Sequence, residues 1–145
     1  MTNVFHCQKK AFTLIELLVV IAIIGILGSL AAISLQSARS RARDAKRVSD
    51  IKQIQIALEL YYNNYNEYPA SIANSISYGD TIYMLIVPTA PTPADGDCNA
   101  INNAYIYATS NSNSSYTISF CLGSDTGGLL AYTNKAIPGG IISIP

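Results

Sequence analysis

Glu16 is a carboxylate set at the front of a long hydrocarbon run. It stands in "KKAFTLIELLVVIAIIGILGSLAAISL", Lys9–Leu35, where Leu17 to Ile33 is apolar apart from Gly25, Gly28 and Ser29. A charge beside hydrocarbon is costly unless a cation meets it or it reaches the polar edge. Glu16 therefore reads as one half of an ion pair, or as a solvated edge residue. Three cysteines follow a different chemistry: Cys7, Cys98 and Cys121, an odd number. Asp95, Asp97 and Asn99 alternate in a loop, with Asp125 further on. Such oxygens are calcium ligands in type, although no glutamate closes a loop of EF-hand kind, and an ordinary turn is the other reading. Nothing points to catalysis. The only histidine is His6, and there is no glycine-rich phosphate loop, Ser-His-Asp set or metal cluster.

The chain that positions these residues has 145 residues, enough for one modest domain. Half of them are hydrophobic and 12% are charged, with formal net charge zero. Neutrality gives no general argument for a nucleic-acid or acidic partner. The apolar run has the length of a bilayer-crossing helix, roughly 20 residues. A helix this apolar on every side would need a larger protein to bury it. The run is too long for the core of an ordinary secretion signal, although "SLAAIS" offers a small-residue cut after Ala32.

"KKAFTLIELLVVIAIIGIL" resembles the class III signal of type IV pilins and of type II secretion pseudopilins. The resemblance implies cleavage by a prepilin peptidase at Ala11–Phe12, with Ala11 in place of the usual Gly. It implies N-methylation of the new Phe12 amine and retention of the apolar segment. Glu16 falls fifth from Phe12, where the family carries its glutamate. That implies an assembly role, in which Glu16 meets the Phe12 amine of its own or a neighbouring chain one turn away. Cleavage would remove Cys7 and His6 and leave Cys98 and Cys121. The pair reads as a disulfide of an oxidising compartment, the alternatives being two unlinked buried residues or a metal pair. Without a histidine the two do not make a zinc set. Major pseudopilins also carry a calcium site in their head loops, which keeps Asp95, Asp97, Asn99 and Asp125 as candidates. No other cofactor is expected.

Topology is in conflict at this stage. Lys9 and Lys10 precede the run, while Arg39, Arg41, Arg43, Lys46 and Arg47 follow it. By the positive-inside rule the C-terminal part would be cytoplasmic. The family implies the reverse: N-terminus in the cytoplasm, a single pass through the inner membrane, and an extracytoplasmic head in a periplasmic or surface filament. The basic patch then binds anionic lipid or adjacent subunits, or is a solvated helix face with Asp44 and Asp50 as local partners.

From Ala38 to Tyr65 there is no Pro or Gly, and Val48, Ile51, Gln55, Leu58, Tyr62 and Tyr65 recur at spacings of three and four. One helix is expected from about Thr13 to about Asn64, stopped by "NNYNEYP". Tyr68-Pro69 after a Leu-Tyr helix end is similar to the major pseudopilin pattern. Ala70 to Ala104 reads as irregular, with Thr81–Val87 a short helix or strand. Strands are expected at Ala104–Ser110, Ser115–Leu122, Gly128–Thr133 and Gly140–Ile144, with "SNSN" as a hairpin turn. The expected fold class is α+β, with a long N-terminal helix packed on a small antiparallel sheet, the pilin ladle. Its divisions are a leader (1–11), an assembly helix (12–35), an amphipathic stem (36–64) and a head (65–145). The function implied is a structural, non-enzymatic filament subunit. A type II secretion pseudopilin is preferred over a pilus or DNA-uptake pilin. Its implied partners are copies of itself, the prepilin peptidase and methyltransferase, an assembly platform, minor pilins and membrane lipid, with no nucleic acid. The alternative is an uncleaved, membrane-anchored, extracytoplasmic binding module.

Overall fold

The computed structural model describes residues 12–144. Its longest element is helix α1, Leu14–Tyr65. Ala11, Cys7 and His6 lie outside the described residues. The chain forms two compact units, one ending at Ser37 and one starting at Ala38.

The first unit is helical from Leu14 onward, and its apolar side chains face outward. Ile15, Leu17, Leu18, Ile21, Ile24, Leu27 and Ile33 are all exposed. This helix is long and apolar enough to cross a membrane. Apolarity on every face is what a helix needs when lipid or other apolar helices surround it.

In the second unit the rest of α1 buries one face. Ile51, Ile54, Leu58 and Tyr61 are buried at spacings of three and four, with Val48, Tyr62 and Tyr65 partly buried beside them. The helix stops where Asn66 adopts a left-handed conformation (φ 55°) and its N–H bonds the Tyr62 carbonyl at 2.7 Å. Asn tolerates that conformation better than most residues, so the "NNYN" run supplies the stop.

Four strands make an antiparallel meander against this face: β3 (Ile106–Ser110), β4 (Ser115–Leu122), β5 (Tyr132–Ile137) and β6 (Gly140–Ser143), in that spatial order. β4 is one of the two inner strands and supplies much of the core. Tyr116, Ile118, Phe120 and Leu122 alternate inward and join Ile51, Ile54, Leu58 and Ala136 in one core. Each fully buried side chain of that size contributes about 1.5–3 kcal/mol. The β3–β4 turn uses Asn111, Ser112 and Asn113, all at positive φ, as the expected hairpin. The β5–β6 turn is Pro138-Gly139, with Gly139 at φ 90°, the fixed-then-left-handed pair of a type II turn. The arrangement is α+β and pilin-like.

Two local readings are refined. Of Thr81–Val87, expected as a short helix or strand, Thr81–Met84 is strand β2, and it pairs with β1 (Ile76–Tyr78) in a separate hairpin. Three residues of β1 carry too little periodicity to be seen in sequence. The third strand of the larger sheet begins at Tyr132 rather than Gly128. Gly127 and Gly128, both at positive φ, turn the chain, and Thr126 bridges Leu129 before the strand starts.

Candidate functional site

The N-terminal site is built by the first turn of α1. Thr13 sits just before the helix and Glu16 three residues on. The Glu16 Oε2 accepts from the Thr13 N–H at 2.9 Å and from the Thr13 Oγ1 at 2.7 Å. The Glu16 N–H in turn donates to Thr13 Oγ1 at 3.3 Å. This is a capping box, in which two side chains satisfy amides that the helix start leaves open. The T-x-x-E spacing carried that signal in the sequence, and the reading of Glu16 as an ion-pair group or a solvated edge residue missed it. Phe12 and Glu16 line one shallow apolar depression with Ile15, Val19 and Val20. Ala11, the residue expected before the cut, is outside the described residues.

The second cluster lies in the head, and most of it was not legible in advance. The buried stripe of α1 continues toward its N-terminal side as charge rather than hydrocarbon. Asp44 and Arg47 are both fully buried, and Arg47 Nη1 meets Asp44 Oδ1 at 2.7 Å. Asp44 also accepts from the Gly123 N–H (3.0 Å), the Ser124 N–H (3.0 Å) and the Ser124 hydroxyl (2.9 Å). Arg47 Nη2 donates to the Pro91 carbonyl at 3.1 Å and to Asn103 Oδ1 at 2.9 Å. Arg43 grips both oxygens of Asp95, which also lies 3.7 Å from Arg47. Asp50 takes Lys46 at 3.4 Å and the Tyr105 hydroxyl at 3.1 Å. Burial beside Asp50 raises the Tyr105 phenol well above its ordinary range.

The basic patch is thus divided. Asp44 and Asp50 are local partners, as one reading held, but on a buried face rather than a solvated one. Arg43 and Arg47 bind the head itself. Arg39 and Arg41 have no ion-pair partner among the described residues.

Cys98 and Cys121 form a disulfide that closes a loop of sequence separation 23. It joins the loop before β3 to the end of β4, beside the Asp44 contacts. Gly96 and Gly123 approach so closely there that a Cβ on Gly96 would overlap the Gly123 carbonyl. In the chain-entropy account such a bridge stabilises by ~3 kcal/mol. The Cys98→Ser/Cys121→Ser chain should accordingly lose about that much, read as a lower urea midpoint at an unchanged slope.

The calcium candidates are engaged separately. Asp95 is held by Arg43, the Asn99 Oδ1 accepts the Ile101 and Asn102 N–H groups, and Asp125 Oδ1 accepts the Ala131 N–H. Asp97 is exposed. Among the described residues no group of three or more His, Cys, Asp or Glu side chains is placed to share a metal ion.

The Arg43 guanidinium, aided by Arg47, holds the Asp95 carboxyl below its ordinary value near 3.8. A depressed folded-state pKa contributes stability that is complete above the unfolded value and lost as pH falls toward the folded one. Head stability should therefore fall on acidification below about 4, and Asp95→Asn should flatten that decline while lowering stability at neutral pH. Urea midpoints between pH 2 and 7 measure both, and an identical acid limb in the two proteins would refute the assignment.

Residues 7–32 match the family model described as the prokaryotic N-terminal methylation motif. No curated protein and no solved structure matches the chain. The match spans the Phe12–Glu16 site and most of the apolar helix but none of the head. Residues 7–32 thus carry a prokaryotic N-terminal methylation motif, a prepilin-type start that supports a type IV pilin-like chain.

Proposed function

We propose that this chain is a structural subunit of a type IV pilus-like filament, of the type II secretion pseudopilin kind. A prepilin peptidase cuts Ala11–Phe12, and the Phe12 amine is methylated. The protein is held in the inner membrane by α1, N-terminus inside, until an assembly platform and minor pilins draw it into a filament. There the apolar turns of α1 pack on those of other copies. The observation that carries this reading is the methylation-motif match over 7–32, leading into a helix that exposes apolar side chains on every face.

Three further features support it. Phe12 and Glu16 line one depression, so the residue that would carry the new amine and the carboxylate assigned to pair with it are neighbours at the start of α1. The Cys98–Cys121 bridge suits an extracytoplasmic head. Tyr68-Pro69 at the helix end, with Tyr68 buried against Tyr116 and bonded to Glu59, favours the secretion pseudopilins among pilin-like subunits. The role is structural rather than catalytic.

Intact mass and N-terminal sequencing of the protein recovered from membranes test it. The expected chain starts at Phe12 and carries one added methyl group. A start at Met1 would instead mean an uncleaved anchored module, and a start after Ala32 an ordinary secretion signal.

A further inference from the structure

The basic residues that follow the apolar run divide into those the head uses and those it does not. Arg43 is bound to Asp95, Arg47 is fully buried against Asp44, and Lys46 pairs with Asp50 at 3.4 Å. Arg39 and Arg41 are exposed and have no ion-pair partner among the described residues. Asp44 is the nearest carboxylate to both in sequence, and it stands at the i, i+3 spacing from Arg41 at which helix pairs form. The head directs that carboxylate inward instead, to Arg47, to the Gly123 and Ser124 N–H groups and to the Ser124 hydroxyl.

Their place along α1 says what they meet. Between Glu16 and Arg39 there is no charged residue. Bilayer hydrocarbon about 30 Å thick, entered between Leu14 and Leu17, is left between about Ser34 and Ser37. Arg39 and Arg41 follow within about 10 Å of helix rise, where the polar headgroups begin. Side chains on a helix tilt toward its N-terminus, which here is back toward the bilayer. Two residues apart, the two arginines face different sides of α1, so each meets its own lipid. Lys52 is also exposed and without an ion-pair partner among the described residues, but it stands about 20 Å further along α1, beyond that layer.

We propose that Arg39 and Arg41 bind the phosphates of anionic phospholipids in the leaflet where α1 leaves the membrane. The inference rests on the membrane-held state of the proposed function and names the lipid class that holds it. A guanidinium presents a planar fork of N–H donors that matches two oxygens of one phosphate. An anionic surface adds about a fivefold preference for each arginine near it. The contact also fixes the depth of α1. Sliding the helix inward would carry a guanidinium into hydrocarbon, and sliding it outward would draw both arginines off the phosphates.

The test is native mass spectrometry of the full chain released from nanodiscs of phosphatidylglycerol and phosphatidylcholine in equal parts. Lys9→Gln and Lys10→Gln are included throughout, to remove the leader's cations. The chain should retain phosphatidylglycerol in preference, and Arg39→Gln/Arg41→Gln should cut that preference by about tenfold or more. Arg39→Lys/Arg41→Lys should keep most of it, because the charge remains, and Lys52→Gln should leave it unchanged. No preference in the parent chain, or a preference that survives Arg39→Gln/Arg41→Gln, would overturn the inference. An equal loss from Lys52→Gln would overturn it too, by showing an effect of net charge alone. The readout needs no filaments. A lipid preference that depends on the two arginines, in a chain that starts at Met1 and forms no filaments, would support this inference and remove the filament reading. Filaments from a chain without the preference would do the reverse.

Discussion

Glu16→Ala is expected to reduce filament yield by roughly tenfold or more while leaving the head folded and the protein in the membrane. Glu16 has one task in the structure and a second under the proposed function, and the alanine removes both. One is the capping box with Thr13, which holds the first turn of α1. The other is the charge beside Phe12, which the proposed function pairs with an amine. Glu16→Gln separates them. Glutamine still accepts the Thr13 bonds, because the box works with Glu or Gln, but it carries no charge. If the charge guides assembly, glutamine fails like alanine. If the cap is what matters, glutamine assembles and alanine does not. Thr13→Val supplies the reciprocal case, losing the hydroxyl while keeping the carboxylate. Sheared filament yield, normalised to membrane-held subunit, measures all three. Normal yield from Glu16→Ala would remove the carboxylate from the assembly account altogether.

The second large effect lies in the head. Asp44→Ala should destabilise it by about 3–5 kcal/mol, the range for removing one partner of a buried ion pair. The cost arises from what is left behind. Arg47 would remain fully buried without its counter-ion, and the Gly123 and Ser124 N–H groups would lose their acceptor. Arg47 already has an Nε without a hydrogen-bond partner among the described residues, so the site has little spare bonding to offer. Replacing both residues by apolar ones of similar volume should cost much less than Asp44→Ala, since no orphaned charge remains. Urea unfolding of the full chain in detergent reads the difference. A loss below about 1 kcal/mol for Asp44→Ala would mean that water reaches the pair when the head breathes.

This network bears on function through position. It ties α1 near Arg43 and Arg47 to the loop carrying Pro91, Asp95 and Asn103, and to the turn after β4. The disulfide closes the same region covalently. That part of the helix and the head should therefore unfold as one unit rather than in stages.

The sequence alone determined the elements whose cause is local. The apolar run marks the membrane-capable helix, because a side chain's hydrophobicity needs no tertiary context to be read. "NNYN" marks the end of α1, because Asn tolerates the left-handed turn that stops it. The alternation of Tyr116, Ile118, Phe120 and Leu122 marks β4, because period two is written in consecutive residues. The motif around Phe12 and Glu16 was legible for the same reason, since all its parts lie within five positions. Only the tertiary structure decided the rest. Asp44 and Arg47 read as a solvated helix face or as part of a patch for lipid or adjacent subunits, since nothing nearby in sequence says that Gly123, Ser124, Pro91 and Asn103 will cover them. Asp95 read as a turn residue or a calcium candidate, and the fold brings Arg43, 52 positions away, against both its oxygens. Whether a charge is solvated, paired or free to bind an ion depends on which distant groups share its space, and long-range packing alone supplies that.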